Sequence, residues 1–249
     1  MDRLQDRIAV VTGGATGIGG ATSELFGTEG ALSIIVDYNE AEGEAAAERI
    51  RAGGGRAEFH ALDVRSSDET AKVFERIGAT HGRIDVLVCS AGVLMGAYNG
   101  IADLEEEAWD ATIDTNLKGT YLTTKFAAPW LRRAERSVLL LIASGAGVRG
   151  GSSSFAYAAS KAGIHGMQYN FERDLGASGT RVHVICPGGI ATPLKLLNIA
   201  QGATARGEDS DTAVANARQS LGDPAGVAKI LTFLASDDAD YVRGTIFTR

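Results

Sequence analysis

Residues 7–19 read RIAVVTGGATGIG, and this stretch decides the fold. Its β-branched, aliphatic first half predicts a buried strand, and the apolar spacing beyond it predicts a helix. Gly13, Gly17 and Gly19 lie between the two, where they would allow a tight turn, close approach of the backbone to a pyrophosphate, and close packing of helix on strand. Unpaired N–H groups at the helix N-terminus favour an anionic group. The stretch therefore predicts a dinucleotide site.

The rest of the chain repeats this alternation of strand and helix. Further short apolar runs occur at LSIIVD (32–37), RAEFHALDV (56–64), IDVLVCS (84–90), SVLLLIAS (137–144), TRVHVICP (180–187) and GTIF (244–247). Helix-like patterns lie between them at 39–52, 66–80, 104–131, 155–176 and 224–235. The pattern predicts an α/β fold, with a doubly wound, mostly parallel seven-stranded sheet and helices on both faces (Rossmann-like). We expect one domain over residues 1–249.

The segment 194–222 interrupts this alternation. It follows the sixth strand, begins apolar at Leu194, and becomes polar and rich in glycine and alanine. Long irregular insertions in compact domains are often functional lids, and some are disordered. We therefore expect an irregular segment here, and we predict that it acts as a substrate lid.

The charge balance argues against a nucleic-acid partner. The 249 residues include 24 Lys plus Arg and 31 Asp plus Glu, for a formal net charge of -7. A protein that binds a polyanion needs clustered cations, and here they are scattered among a larger number of acids. Apolar residues make up 45% of the chain, which is enough for one sizeable core.

The cysteines and histidines form no pattern typical of a disulfide framework or a metal site. Cys89 and Cys186 lie inside apolar runs and are predicted to be buried hydrophobes. The first residues carry acids and no long apolar core, and the longest apolar stretch, Val138 to Ala143, is far shorter than the ~20 residues of a membrane span. We therefore expect a cytoplasmic protein without a signal peptide, a membrane partner or a metal.

Asp37 ends the second strand, 18 residues after Gly19. A carboxylate there can accept hydrogen bonds from both hydroxyls of an adenosine ribose, and its charge would repel a 2′-phosphate. No Lys or Arg occurs between Arg7 and Arg49, so no cation nearby in the sequence offsets such a phosphate. These residues predict NAD as the cofactor in preference to NADP. A solvated turn or a helix cap is the alternative role for Asp37.

Tyr157 and Lys161 form the segment YAASK, in which a spacing of four residues would place both on one helix face. Tyr121 and Lys125, in YLTTK, have the same spacing. Position separates the two pairs, because Tyr157 follows the carboxyl end of the fifth strand, where ligands bind in open α/β sheets, and Ser144 stands at that strand end. Tyr121 lies within the preceding helical stretch, so we predict that it has a packing role.

The chemistry of alcohols and carbonyls explains why such residues would be needed. Hydride transfer to a carbonyl creates an alkoxide that must gain a proton, and oxidation of an alcohol requires the reverse. A free Tyr has a pKa of about 10, so it is almost fully protonated at neutral pH. We expect the Lys161 ammonium, helped by the positive nicotinamide of an oxidised cofactor, to lower the pKa of Tyr157. We expect Ser144 to hydrogen-bond the substrate oxygen with which Tyr157 exchanges the proton.

Together these motifs resemble the short-chain dehydrogenase/reductase family. The resemblance rests on TGGATGIG at 12–19, the acidic end of the second strand, Asn116 in TNLKG, Ser144, YAASK, and PGGIAT at 187–192, in the family's order over nearly the whole chain. It implies that Tyr157 is the general acid/base and that Lys161 also binds the nicotinamide ribose. It implies that Ser144 orients the substrate and that Asn116 supports a water relay behind Lys161. The alternative for Asn116 is a polar residue facing solvent.

The resemblance also implies cofactor contacts and an assembly. Asp63, in LDV, would contact the adenine, and the residues from Pro187 to Thr192 would line the nicotinamide side. The complete set of expected cofactor residues is Gly13, Thr16, Gly17, Ile18, Gly19, Asp37, Asp63, Val64, Ala91, Gly92, Tyr157, Lys161, Pro187, Gly188, Ile190 and Thr192. A homo-oligomer, either a dimer or a tetramer, is implied as well.

The chain departs from the family pattern in two places. Ser90-Ala91-Gly92 follow the fourth strand where the family usually has Asn-Ala-Gly, and a hydroxyl replaces only part of the hydrogen bonding of an amide. The last residues are GTIFTR (244–249), where such proteins usually continue into Val-Asp-Gly-Gly, a tail that commonly contributes to subunit packing. We therefore expect a less rigid turn at Ser90 and a weaker indication of a tetramer.

The residues expected to face the substrate are mostly apolar or small: Leu94, Met95, Tyr98, the loop 148–155 and residues 194–197. They favour an uncharged, moderately apolar secondary alcohol or ketone, and Arg149 is a candidate for binding an anionic group.

Three functions compete at this stage. The first is an NAD-dependent alcohol dehydrogenase or ketone reductase acting on a small molecule. The second is a non-catalytic protein of the same fold that senses the nucleotide, and the intact catalytic set argues against it. The third is a 3-oxoacyl-acyl-carrier-protein reductase, which would need NADPH and a basic docking patch. Asp37 and the acidic balance argue against the third, so we favour the first.

Overall fold

The computed structural model describes residues 2–248 of the chain. Its strands form one parallel sheet in the order β3-β2-β1-β4-β5-β6-β7. The strands are β1 (Ile8–Thr12), β2 (Leu32–Asp37), β3 (Arg56–Ala61), β4 (Val86–Cys89), β5 (Val138–Ile142), β6 (Arg181–Cys186) and β7 (Gly244–Phe247). The predicted fold class is therefore confirmed, and every predicted strand is present.

Helices pack on both faces of this sheet. They are α1 (Gly17–Thr28), α2 (Glu40–Ala52), α3 (Ser67–His81), α4 (Glu106–Ile113), α5 (Gly119–Leu131), α6 (Phe155–Leu175), α7 (Pro193–Ala205), α8 (Ser210–Ser220) and α9 (Pro224–Ala235). Every residue of β5 and β6 is buried, as expected when both faces of a parallel sheet are covered. Cys89 and Cys186 are buried in this core, as predicted.

The structure corrects the expectation for residues 194–222. This segment is not irregular, because it forms most of α7 and all of α8. The Thr192 side chain accepts a hydrogen bond from the backbone N–H of Lys195 and so caps α7, while Asp209 caps α8 through Thr212. The sequence analysis missed these capping residues because the segment is polar and rich in glycine. The role of the segment as a lid stays a prediction.

The helix expected over residues 104–131 is also interrupted. It consists of α4, a π-helical turn at Asp114–Lys118, and α5. Single π-helical turns inside α-helices are rare, and those that do occur are often found at functional sites. This turn contains Asn116.

None of the helices formed by residues 2–248 is both long enough and apolar enough to cross a membrane.

His183 lies in β6 with none of its surface exposed. Burial, together with the charges of Arg181 and Arg243, lowers the pKa of its imidazole to about 4. The folded protein therefore keeps this imidazole neutral in mild acid. In the unfolded chain the same group takes up a proton near its ordinary pKa of about 6.5.

This difference predicts a loss of stability in acid. Between about pH 6.5 and pH 4 only the unfolded chain binds the proton, so His183 alone lowers the free energy of unfolding by up to about 3 kcal/mol. The variant His183→Leu lacks this titration. Urea unfolding at pH 7.5 and pH 4.5 should show a smaller acid loss for the variant than for the wild type, and equal losses would contradict the prediction.

Candidate active site

The glycine-rich turn connects β1 to α1 at the carboxyl edge of the sheet, between the carboxyl ends of β2 and β4. Gly13 has a φ of 64°, and a Cβ there would lie 2.7 Å from the Cα of Ala91 after β4. A Cβ on Gly19 would lie 2.0 Å from the carbonyl oxygen of Gly13. Only glycine therefore permits this close packing of α1 on its own entry turn.

The first turn of α1 has free hydrogen-bond donors. Thr16 is the N-cap residue, and within residues 2–248 its side chain makes no capping hydrogen bond. The N–H groups at this helix end are therefore available to a ligand, with the positive end of the helix dipole behind them. This is the arrangement that a pyrophosphate group requires.

Asp37 lies beside this turn at the end of β2. Its Oδ2 accepts a hydrogen bond of 3.2 Å from the N–H of Ala15, and its Oδ1 accepts one of 3.1 Å from the N–H of Asn39. These bonds fix the carboxylate at the edge of the glycine-rich turn. Each oxygen retains a second lone pair for a ribose hydroxyl.

Arg65, which the sequence analysis missed, lies in the same cavity as Asp37. Its Nη2 is 2.6 Å from Oδ2 of Asp63, and its Nε contacts both oxygens of that carboxylate. This side-chain hydrogen bonding holds the pKa of Asp63 below its usual range. A cation therefore lines the same cavity as Asp37, although none is near Asp37 in the sequence, and the charge of this cation is matched by Asp63.

Asn116 is fully buried, so it does not face solvent. Its Oδ1 accepts a hydrogen bond of 2.8 Å from the N–H of Val93, and its Nδ2 donates to the carbonyl of Val93 at 2.9 Å and to Oγ of Ser160 at 3.0 Å. A Cβ on Gly92 would approach Oδ1 of Asn116 at 3.3 Å and Nζ of Lys161 at 3.6 Å. Asn116 thus joins the loop after β4 to α6 beside Lys161.

The turn at Ser90 keeps its backbone pairing. The N–H of Ser90 donates to the carbonyl of Thr12 at 3.1 Å, which continues the pairing of β4 with β1 by one residue. A less rigid turn at this position stays a prediction.

Tyr157 and Lys161 lie on the same side of α6. Nζ of Lys161 is 5.5 Å from the centroid of the Tyr157 ring and donates a hydrogen bond of 2.8 Å to the carbonyl of Ile142, the last residue of β5. Ser144 follows two residues later, and its Oγ accepts a hydrogen bond of 3.1 Å from the N–H of Ala146. The structure therefore brings together the phenol, the ammonium and the hydroxyl that the sequence singled out.

Burial decides the pKa of both ionisable groups. It lowers the pKa of Lys161 to about 8. Burial also raises the pKa of the Tyr157 phenol, and a side-chain hydrogen bond with Ser144 acts in the opposite direction. In the protein alone the ammonium lies over the ring, and burial outweighs the hydrogen bond of Ser144. The expectation that Lys161 and an oxidised nicotinamide together lower this pKa stays a prediction.

Two cavities at the carboxyl edge of the sheet meet at Tyr157. The first has a volume of about 500 Å³ and extends along the glycine-rich turn, and the second has a volume of about 690 Å³. They share Ile18, Ile142, Tyr157, Thr192 and Leu194. Ligands in the two cavities would therefore meet at the phenol.

The first cavity is the candidate cofactor site. It is lined by the predicted residues Gly13, Thr16, Gly17, Ile18, Asp37, Asp63, Val64, Ala91, Gly92, Tyr157, Lys161 and Thr192. Pro187, Gly188 and Ile190 line the second cavity instead, together with Ser144. Gly19 lines neither cavity and acts through packing.

The second cavity, the substrate-side cavity, has one polar lining residue, Asn198, that the sequence analysis did not name as a site residue. Leu94 and Tyr98 line it as predicted, whereas Leu197 is 61% exposed and lies outside it. Besides Ser144, Tyr98, Tyr157 and Thr192, its polar lining residues are Arg149, Ser152, Ser153, Lys195 and Asn198. Asn198 was missed because its position only becomes apparent once α7 is recognised as a helix, one turn after Leu194.

The second Tyr–Lys pair lies away from this site. Tyr121 is 44% exposed on α5, so the prediction of a packing role is wrong. The Lys125 ammonium lies 5.8 Å from the centroid of the Tyr121 ring. Tyr121 and Tyr157 therefore have the same sequence spacing to a lysine but lie in different surroundings.

Comparison with known proteins identifies this arrangement. The family model for short chain dehydrogenases matches residues 7–200, well over half of the chain. The chain belongs to the short-chain dehydrogenase/reductase family. The family uses nicotinamide cofactors, and the cavity along the glycine-rich turn fits such a group.

Individual members of the family match over almost the whole chain. The 3-oxoacyl-acyl-carrier-protein reductase of Thermotoga maritima is 33% identical over 98% of this chain and 96% of its own length. Cyclopentanol dehydrogenase of Comamonas testosteroni is 32% identical over 98% of this chain and 96% of its own. The crystal structure of levodione reductase has a TM-score of 0.90 at 26% identity, covering 98% of this chain and 96% of that chain. The protein is therefore an oxidoreductase of this family.

Proposed function

We propose that this short-chain dehydrogenase/reductase is an NAD(H)-dependent enzyme that interconverts a secondary alcohol and a ketone. The observation that carries the proposal is the position of Tyr157, where the candidate cofactor cavity and the substrate-side cavity meet. Ser144 and Lys161 flank the phenol there. The relatives named cyclopentanol dehydrogenase and levodione reductase support an alcohol or ketone as the substrate.

Each catalytic residue has its own role in this reaction. In alcohol oxidation, the carbinol hydrogen leaves as a hydride with the electron pair of its C–H bond. The O–H proton passes to the Tyr157 phenolate and the O–H electron pair forms the C=O bond, so that a ketone and a neutral phenol result. Ser144 hydrogen-bonds the reacting oxygen and holds it in line with the phenol. When bound, the nicotinamide supplies the hydride acceptor and, in its oxidised form, a positive charge.

Lys161 and Asn116 have supporting roles in this proposal. The Lys161 ammonium, anchored on the carbonyl of Ile142, would bind the nicotinamide ribose and provide positive charge under the phenol. Asn116 would hold Ser160, one residue before Lys161, through its Nδ2 and so fix the register of α6. A water relay behind Lys161 is consistent with this position of Asn116.

Asp37 is the basis for NAD in preference to NADP. We expect the wild type to have a higher kcat/KM with NAD, because a 2′-phosphate would lie against the fixed carboxylate of Asp37. The variant Asp37→Asn keeps an acceptor for the backbone N–H groups and removes the charge. It should reduce the NAD-over-NADP ratio at least about tenfold, since like charges in contact near a protein surface repel by a few kcal/mol.

Steady-state kinetics with both cofactors checks this prediction. Glu42→Gln, which removes one exposed carboxylate near the start of α2, is the matched control and should leave the ratio within about twofold, because exposed charges are screened by solvent. A wild type that prefers NADP, or an unchanged ratio in Asp37→Asn, would contradict the assignment.

A 3-oxoacyl-acyl-carrier-protein reductase is the alternative function. The relative from Thermotoga maritima and the cation of Arg65 in the candidate cofactor cavity favour it. Against it stand Asp37 and the pairing of Arg65 with Asp63, which leaves little positive charge for a 2′-phosphate.

We also propose a cytoplasmic homo-oligomer, a dimer or a tetramer. Trp109 on α4 and Tyr169 on α6 support it, because these helices pack together and the two aromatic side chains are 38% and 65% exposed. Exposed aromatic side chains are typical of interfaces between subunits. The presence of two reduced, buried cysteines is compatible with the cytoplasm.

A spectrophotometric screen tests the proposed function. The purified protein is incubated with NAD or NADP and a panel of secondary alcohols, and the formation of reduced cofactor is followed. We expect NAD-linked oxidation of several members of the panel. Binding of NAD without turnover of any alcohol, and without reduction of the corresponding ketones by NADH, would support the nucleotide-sensing alternative instead.

A further inference from the structure

The polar wall of the substrate-side cavity is formed by three segments that are distant in the sequence. Asn198 on α7 is 4% exposed, and its Nδ2 donates a hydrogen bond of 3.0 Å to Oγ of Ser153 in the loop after β5. Oη of Tyr98, in the loop after β4, lies 3.5 Å from Oδ1 of Asn198. All three residues line the cavity that also contains Ser144 and Tyr157.

The backbone of Tyr98 is held in an unfavourable conformation at this wall. Its φ is 66°, in the left-handed region that bulky residues rarely adopt. Its N–H donates a hydrogen bond of 2.7 Å to the carbonyl of Ser153, which holds the two loops together. Such conformations cost about 1–3 kcal/mol and cluster where a binding site needs a particular geometry.

Gly202 on α7 makes room for the Tyr98 ring. A Cβ at this position would lie 2.5 Å from Oη of Tyr98. The phenol is therefore packed against α7 with its hydroxyl beside Asn198. A glycine inside a helix costs about 1 kcal/mol relative to alanine, so the close approach is made at the expense of helix stability.

The wall keeps hydrogen-bonding capacity toward the cavity. Among the contacts made by the described residues, the Asn198 amide uses one of its two N–H donors, the Ser153 hydroxyl acts only as an acceptor, and the Tyr98 oxygen accepts none. Donors and acceptors are thus both available, as a neutral hydroxyl or carbonyl oxygen requires. A carboxylate accepts hydrogen bonds only, so it would pair with the cations Arg149 and Lys195 of the same cavity and not with this mixed set.

We propose that Tyr98, Ser153 and Asn198 form a subsite for a second oxygen atom of the substrate, so that the enzyme prefers diols, hydroxyketones or diketones. This inference rests on the proposed function, in which the first oxygen lies between Ser144 and Tyr157. Tyr98 is 46% exposed in the protein alone, so a substrate with one oxygen would remove water from the free donor and acceptor positions of this wall without pairing them, and such unpaired polar groups are costly.

Cyclic alcohols of equal ring size, with one or two hydroxyl groups, test the proposal. The wild type is compared on cyclohexanol and on cyclohexane-1,2-diol, -1,3-diol and -1,4-diol with NAD. We expect at least one diol to have a kcat/KM about tenfold or more above that of cyclohexanol, mainly through a lower KM, because one well-formed hydrogen bond has about this effect. A wild type that prefers cyclohexanol to every diol would overturn the proposal, as would a preference for a ring carboxylate over the diols.

Variants of these three residues test whether their side chains recognise the substrate or only support the wall of the cavity. Asn198→Leu, Ser153→Ala and Tyr98→Phe should each lower the ratio of kcat/KM for the preferred diol to that for cyclohexanol, by about tenfold for Asn198→Leu. Tyr98→Phe keeps the ring and serves if Asn198→Leu does not fold. Gln201→Leu, which changes an exposed amide on the same helix, is the control and should leave the ratio unchanged. Equal losses on both substrates would mean that the residues only hold α7 in place.

A binding measurement keeps the two proposals distinguishable. If no alcohol of the wider panel is oxidised and no corresponding ketone is reduced, the proposed function fails. Isothermal titration calorimetry of the diols with the wild type and with Asn198→Leu then decides on the subsite alone. Tighter binding of a diol than of cyclohexanol, lost in the variant, supports the subsite, and equal binding overturns it.

Discussion

Replacing Tyr157 with phenylalanine is expected to lower kcat for NAD-linked oxidation of a secondary alcohol by about 10²–10⁴-fold, the range over which a positioned general acid/base contributes. The substitution removes the hydroxyl at the junction of the two cavities and keeps the ring over which Lys161 lies. The measurement is initial-rate kinetics at saturating NAD and alcohol. Under these conditions a weaker affinity for either ligand does not contribute to the loss.

Tyr121→Phe is the matched control for this variant. Tyr121 has the same four-residue spacing to a lysine, and it lies half-exposed on α5 away from both cavities. We expect its kcat to stay within about twofold of the wild type, since surface substitutions away from special features usually have small effects. Equal rates for Tyr157→Phe and the wild type would refute the assignment of the proton-transfer residue.

The strand order along the chain and the fold class could be predicted because their signals are local, whereas α7 and α8 were missed. The apolar runs at Ile8–Thr12 and Val138–Ile142 are short, continuous and flanked by turns, and together with the helix patterns between such runs they indicate parallel strands. The glycine-rich turn and the YAASK segment are equally local, since a turn and one helix face determine where their side chains lie. These are the parts of the site that could be predicted.

The remaining parts of the site depend on contacts between distant segments. Arg65 reaches the candidate cofactor cavity because β3 ends beside β2, and Asn198 reaches the substrate-side cavity because α7 packs against the loop around Tyr98. The π-helical turn at Asn116 likewise accompanies the hydrogen bonds of its side chain to Val93 and Ser160. No periodic pattern in the sequence predicts contacts between segments that are distant along the chain.

The pKa of Tyr157 illustrates the same limit. The four-residue spacing indicates that Lys161 is near, but it does not show whether the ammonium lies by the hydroxyl or over the ring. The structure places it over the ring, and burial then raises the pKa of the phenol. At neutral pH the phenol of the protein alone is protonated, which is the form that ketone reduction uses, and the raised pKa makes it a weaker acid than a free tyrosine.

Gly19→Ala is expected to weaken NAD binding by about tenfold or more and to destabilise the fold by about 1–3 kcal/mol, as overpacking a tight contact usually does. The added Cβ would meet the carbonyl oxygen of Gly13 at 2.0 Å, so the glycine-rich turn or the start of α1 has to move. Either movement displaces the N–H groups that would hold the pyrophosphate. Calorimetric titration with NAD and thermal unfolding measure the two effects.

Gly226→Ala provides the comparison that isolates this contact. Gly226 is the third residue of α9, as Gly19 is the third residue of α1, and a Cβ there would meet no atom within 4 Å. Because alanine favours a helix by up to about 1 kcal/mol over glycine, this variant should be as stable as the wild type or more stable, with unchanged NAD affinity. If Gly19→Ala bound NAD as tightly as Gly226→Ala does, the glycine-rich turn would not be the pyrophosphate site.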